Sequence, residues 1–155
     1  MARLELERGT DVLLLENGFA LLLESTVEVT NSPDSYAFGI IAASSTPSTG
    51  LDYFTITNNS GFAIDILIYG TDMTGGVGWT LANDGNPGAD IVAIKAGLDG
   101  GSYNVIVKKS EPYNTLKAGL ATSGTQAFGL QMLAPTSFSD GVPKSDIVTI
   151  AGIAS

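Results

Sequence analysis

The sequence predicts an all-β fold, and three observations carry that reading. Short apolar segments alternate with polar residues at a period of two, which sends successive side chains to opposite faces of a strand. Clusters of Gly, Asn, Ser and Pro break those segments at the roughly 8–12-residue spacing of sandwich and barrel strands. No stretch carries the apolar stripe of a long amphipathic helix. Composition agrees. Of 155 residues, 44% are hydrophobic and only 15% charged, with 19 Gly and a mean hydropathy of +0.25. An average domain has about 25% charged residues. A chain of this size folds as one domain that buries roughly 70% of its unfolded surface.

The first 25 residues form a unit of their own. Leu-Glu recurs at positions 4–5, 6–7, 15–16 and 23–24. Asn17-Gly18 lies between two apolar runs, the strongest short-range hairpin signal, because both turn residues must adopt positive φ. With that turn, Glu16 faces Phe19, Leu15 faces Ala20, Leu14 faces Leu21, Leu13 faces Leu22 and Val12 faces Leu23. A second turn near Arg8-Gly9 adds a third strand, Leu4 to Glu7. Helix is the rival reading, since leucine favours helices. Gly9, Gly18 and the lack of a 3.6-period polar face argue against it.

Strand geometry then puts leucine on both faces of this ribbon. One face covers the protein's own core; the other stays wet unless something else covers it. The six leucines at 13–15 and 21–23 represent roughly 10 kcal/mol of burial. The expected assembly interface is therefore Val12, Leu13, Leu14, Leu15, Phe19, Leu21, Leu22 and Leu23.

Beyond the ribbon, Thr26–Thr30 alternates and stops at Asn31-Ser32-Pro33. Ser35–Ala43 is mostly apolar and precedes a Ser/Thr/Pro-rich loop, 44–50. Tyr53–Thr57 alternates and turns at Asn58-Asn59-Ser60-Gly61. Ala63–Tyr69 places Ile64, Ile66 and Ile68 on one face with Asp65 opposite. The 70–78 loop leads to Trp79-Thr80-Leu81, with Trp79 the best single core anchor. The polar loop Asn83–Asp90 precedes Ile91–Lys95, and Tyr103–Lys108 alternates again. Residues 110–125 read as Gly-rich and polar, with one short helical turn near Leu116. Ala127–Leu133 and Ile147–Ile150 close the fold. The result is a β-sandwich of the immunoglobulin-like or jelly-roll-like kind, residues 26–155, with an N-terminal β-hairpin arm, residues 1–25.

Charge narrows the partners. Sixteen acids against seven bases give −9, and Lys108-Lys109 is the one adjacent basic pair. Nucleic acids and anionic membranes both demand clustered cations, so neither is an expected partner; the acidity keeps a rather apolar protein soluble. Cysteine and histidine are absent, which removes disulfides, thiolate or imidazole metal sites, Cys nucleophiles and the Ser-His relay. No apolar run reaches the roughly 18 residues of a spanning helix. The leucines near the start are interrupted by Glu5, Glu7, Asp11 and Glu16, so no signal-peptide core is expected.

The search for chemistry returns turns rather than sites, so no catalytic residues, cofactor or metal ligands are expected and the chain reads as a non-enzyme. Nucleophile-elbow, P-loop and dinucleotide-binding patterns are missing. Gly75-Gly76 and Gly100-Gly101 read as turns. Asp65 with Asp72, and Asp84 with Asp90, are the carboxylate pairs a glycosidase would need, yet all four suit exposed strand or turn positions. Asn83–Asp90 offers oxygens to calcium but lacks the alternation and terminal Glu of an EF-hand loop. Asn58-Asn59-Ser60 matches the N-glycosylation pattern and reads as a turn. Trp79, Phe54, Tyr53, Phe128 and Phe138 read as sandwich core; a carbohydrate-stacking surface, and with it an adhesion module, is the alternative.

The segment Asp11-Val12-Leu13-Leu14-Leu15-Glu16-Asn17-Gly18-Phe19-Ala20-Leu21-Leu22-Leu23-Glu24 resembles N-terminal modules of tailed-bacteriophage virion proteins, found in head-surface and tail proteins. The remainder, above all Phe54–Gly61 through Gly70-Thr71-Asp72-Met73, is similar to β-sandwich domains of surface proteins, including TasA/camelysin-like filament subunits. Filament subunits of that class carry a signal peptide, which is not expected here, so the resemblance to the virion modules leads. It implies a structural virion protein decorating or stabilising a capsid or tail. Its implied partners are copies of itself and a major capsid or tail protein. An extracellular filament or surface-layer subunit that polymerises by strand exchange is the second expectation.

Overall fold

The computed structural model describes residues 12–14, 20–22 and 26–155, which form eleven strands and no helix. β1 (Val12–Leu14) and β2 (Ala20–Leu22) pair antiparallel, with Val12 opposite Leu22, Leu13 opposite Leu21 and Leu14 opposite Ala20. The hairpin is there, one residue out of the expected register. Five residues separate Leu14 from Ala20, and an odd number cannot close on a two-residue Asn17-Gly18 turn. A slip normally turns a strand's apolar set into water; with leucine at consecutive positions on both strands, the pattern does not choose between registers. Leu15, Phe19, Leu23 and the expected third strand, Leu4 to Glu7, lie outside the described residues.

Nine further strands follow: β3 (Val29–Ser32), β4 (Phe54–Asn58), β5 (Ile64–Gly70), β6 (Thr80–Leu81), β7 (Ile91–Leu98), β8 (Val105–Ile106), β9 (Asn114–Leu120), β10 (Thr125–Leu133) and β11 (Val148–Ala154). They form an all-β sandwich. The larger sheet runs β3-β4-β10-β7-β6, with β8 also pairing β7, and the smaller runs β11-β5-β9. Every pairing is antiparallel except β6 with β7.

Alternation built the core as expected. Ile64, Ile66 and Ile68 are fully buried from β5, facing Phe54, Ile56, Ile94 and Phe128 of the larger sheet across the interior. Asp65, on the opposite face, accepts hydrogen bonds from the Gly119 N–H at 2.7 Å and the Ser155 hydroxyl at 2.9 Å. Trp79 is buried just before β6.

The helical turn expected near Leu116 is instead strand β9. Its register against β5 shifts twice, between Ile64 and Ile66 and again between Ile66 and Leu67. Gly119, at φ 59°, sits in the first irregularity. Extra residues break the alternation, so Ala118 is exposed between the buried Leu116 and Leu120, and inward positions recur at four residues rather than two, a spacing that imitates a helix.

The two lateral sides of the sandwich differ. On one, the chain around β8 stitches the sheets together: Val107 N–H donates to Ile94 O at 2.9 Å, and Gly70 N–H to Lys108 O at 2.9 Å. The Asn114 side chain adds a bond to Ile106 O at 2.8 Å. On the other side lie the two sheet ends, β3 and β11. They touch at one end, where Gly152 lies against Val27 and Val29 with no room for a side chain. Towards Asn31 and Val148 they part.

Asn58 closes the β4–β5 turn from inside. Its Nδ2 donates to Phe62 O and Leu120 O at 2.9 Å and to Ala121 O at 3.1 Å, while its Oδ1 accepts from Ser60 N–H at 2.8 Å. The side chain is fully buried. The glycosylation pattern therefore falls on an amide whose nitrogen is already committed, and the folded chain offers no acceptor there. Asn58→Ala leaves these carbonyls and an N–H without partners, so it should destabilise the fold by about 2–4 kcal/mol in urea unfolding; a loss below 1 kcal/mol would show that water replaces the amide.

Candidate functional site

Where β3 and β11 part, the sandwich opens into a groove of about 800 Å³. Its floor is the inner face of the larger sheet, from Phe54 on β4, Phe128, Leu130 and Met132 on β10 and Ile94 on β7. One wall is the segment 34–41 that follows β3. The other combines residues 140–146 with Val148 and Ile150 of β11. Trp79 and Phe138 stack at 5.0 Å between ring centroids and line the same space.

Local chemistry holds each wall apart from the other. Residues 34–41 carry too many consecutive apolar side chains to alternate, and they run as irregular chain rather than strand. Tyr36 makes edge contacts with Phe38 and Tyr53 at 4.9 and 4.8 Å, and Tyr53 with Phe54 at 4.9 Å, which ties the wall to β4. Ile40 stands fully exposed above it. Opposite, Thr74 and Ser145 exchange backbone hydrogen bonds at 2.8 and 3.1 Å. Asp140 accepts from Val77 N–H at 2.6 Å and Val142 N–H at 3.1 Å and pairs with the Lys144 ammonium. The Lys144 hydrogen bond, then those from the backbone, hold the Asp140 carboxyl below its ordinary range. Lys144 also lies 5.8 Å from the centre of the Trp79 ring.

The groove is apolar with a few polar groups, the general character of binding sites of this size. Asp146 is the one of these whose pKa is raised. Its Oδ1 accepts from the Thr71 hydroxyl at 2.8 Å, Thr71 N–H at 3.2 Å and Ile147 N–H at 2.6 Å. Burial nevertheless raises its pKa, with the nearby Asp72 charge adding a little.

Each acid of the two pairs weighed in the sequence, Asp65 with Asp72 and Asp84 with Asp90, is tied to its own structural partner. Asp72 accepts from Lys109 Nζ at 2.8 Å and Leu81 N–H at 2.7 Å, and the Lys109 contact lowers its pKa. Asp84 accepts from the Asn86 backbone and side chain at 3.0 and 3.1 Å, which lowers its pKa in turn. Asp90, at φ 50°, accepts from the Ser139 N–H at 2.8 Å and from its hydroxyl. Asn83 spends its amide on Lys109 N–H and Ser110 Oγ, both at 2.9 Å. The oxygens of the 83–90 loop thus pin the loop. Among the described residues no three His, Cys, Asp or Glu side chains gather as metal ligands would.

Of the aromatic set, Phe54, Phe128 and Trp79 are interior and Tyr53 is exposed. The backbone of β1 and β2 brings Val12, Leu13, Leu14, Leu21 and Leu22 into one ribbon. The groove itself was not anticipated. Its one local signal was the apolar run Ser35–Ala43, which had neither strand alternation nor a turn to end it.

Comparison with protein-family models, with curated proteins and with solved structures found no match.

The Asp146 geometry carries a pH dependence. Because its folded pKa lies above the unfolded value, the group stabilises the fold fully below the unfolded pKa and loses that contribution as pH rises through the folded one. Asp146→Asn keeps the Oδ1 acceptor and removes the buried charge. It should raise Tm at pH 7 by about 2 °C, and the gain should vanish as pH falls below the ordinary carboxylate range. A parent more stable than the variant at pH 7 would show that the ionised Oδ2 has a partner.

Proposed function

We propose that this chain is a non-enzymatic structural subunit of a tailed-phage virion, a decoration or head-fibre-like protein that self-assembles on the capsid or tail surface. The observation that carries the assembly reading is the apolar groove left open between β3 and β11, rimmed by exposed Ile40 and Val142. Contiguous exposed apolar surface on an otherwise acidic body marks a contact with another protein. The leucine ribbon supplies a second surface of the same kind. The virion form of the reading comes from the resemblance of Asp11–Glu24 to virion modules. In a symmetric array, repeated modest contacts gain strength through effective concentration. The partners are copies of the chain and a major capsid or tail protein, with no role for nucleic acid or membrane.

One observation favours a second reading, an extracellular filament or surface-layer subunit that polymerises by strand exchange. Both sheets end on the same side of the sandwich, in β3 and β11, and exposed edges accept added strands. Capsid, portal or tail genes beside this one would favour the virion; electron microscopy of native material would separate decorated particles from filaments.

Removing residues 1–25 should leave a folded monomer that no longer assembles, measured by size-exclusion chromatography with light scattering. A truncated chain that keeps the parent's oligomeric state would overturn the ribbon as the assembly surface, and a parent that is itself a monomer would overturn the assembly reading.

A further inference from the structure

Among the described residues, three buried side-chain polar atoms have no hydrogen-bond partner: Asn31 Oδ1, Trp79 Nε1 and Asp146 Oδ2. All three residues line the groove. Trp79 is only 7% exposed, so its N–H is shut away from bulk water. Buried polar groups in native proteins are nearly always paired, and these three belong to residues lining one apolar space, with Asp146 Oδ2 at its inner end beside Gly70. They ask for one carbonyl and two donors, set among contacts that favour hydrocarbon.

A purely aliphatic ligand would leave all three unmet, and a small polar one would waste the floor. An extended polypeptide has both parts. It presents C=O and N–H groups along its length, with apolar side chains alternating between them. It would also lie beside β3 and β11, whose outer edges end the two sheets.

We infer that the groove receives the leucine ribbon of a second copy of this chain, seated as an extended segment whose backbone meets Trp79 Nε1, Asn31 Oδ1 and Asp146 Oδ2. This rests on the assembly reading and names the surface on which assembly occurs. Leucines at 13–15 and 21–23 give the ribbon apolar side chains on both faces, which is what a segment enclosed between a floor and two walls requires. The geometry favours a neighbour's ribbon over the chain's own. Val27 packs against Gly152 where β3 and β11 meet, so the chain joins its body at the shut end of the groove. The mouth, near Asn31 and Val148, faces away from that junction.

The chain has no cysteine and one tryptophan, which makes the test clean. Full-length Leu22→Cys protein is mixed under mild oxidation with differently tagged full-length protein carrying Val148→Cys on one wall or Ile41→Cys on the other. Disulfides between the two tagged copies are expected, at least tenfold more than with a control Asn104→Cys on the exposed surface. Trp79 emission should shift to the blue as concentration rises through assembly, and Leu22→Glu should abolish both the shift and the oligomer. No cross-link and no shift, in an oligomer that Leu22→Glu still disrupts, would overturn the groove as receptor while leaving ribbon-driven assembly standing. A bond that forms only within a single chain carrying both Leu22→Cys and Val148→Cys would overturn the second copy as occupant. An oligomer indifferent to Leu22→Glu would overturn the ribbon as occupant of the groove, and no oligomer at all would remove the assembly reading with it.

Discussion

Burial of one stripe on β5 makes two sheets into one body. Ile64, Ile66 and Ile68 have no exposed surface, and together they contribute roughly 5–9 kcal/mol of hydrophobic stabilisation. β5 is the central strand of the smaller sheet, so its register sets both neighbours. Towards β9 the match is imperfect and two irregularities absorb the misfit; towards β11 the pairing is continuous from Gly70–Val148 to Ile64–Ala154. The regular side therefore leaves β11 straight along the open edge. The irregular side bends β9 beneath the chain around β8, which closes the sandwich there.

That asymmetry positions the groove. The larger sheet needs the floor residues Phe54, Phe128 and Met132 for its own packing, and Gly129 lets the 44–51 segment lie tightly on its other face. A side chain at Gly129 would meet Gly50 O at 1.6 Å. With one face of that sheet covered so closely, the shortfall in cover falls on the inner face, beyond the reach of a three-stranded partner sheet. The segment 34–41 spans part of this gap as irregular chain, because its consecutive apolar residues have no polar face to give to water.

How much of this could be read from the sequence follows from how local each signal is. β4, β5 and β10 were legible because alternation and a turn cluster coincide within a few residues. β9 was hidden by its bulges, which make a strand's inward positions recur at helical spacing. The ribbon's existence was plain, but its register was not, since runs of identical residues carry no register information. Asn58 looked like an ordinary turn residue; its role depends on carbonyls 62 and 63 positions away at Leu120 and Ala121. The groove was least legible of all. It is assembled from six separate stretches, and no spacing within any one of them encodes a void.

A void of this kind persists only if collapse is prevented, and the structure shows what prevents it. Three unpartnered buried atoms cost the lone chain on the order of 3–9 kcal/mol, a large fraction of the roughly 5–15 kcal/mol by which domains are stable. Each wall is anchored away from the other. The Tyr36–Tyr53–Phe54 contacts hold one wall on β4, and the Thr74–Ser145 and Asp140 hydrogen bonds hold the opposite wall to the 71–78 loop. The entropy of ordering the site is thus lost during folding rather than on docking, which is the condition for a weakly driven contact to become a tight one. A groove held open with an apolar lining gains free energy on being filled, and the leucines of residues 1–25 are the proposed occupant because they supply apolar side chains on an extended backbone.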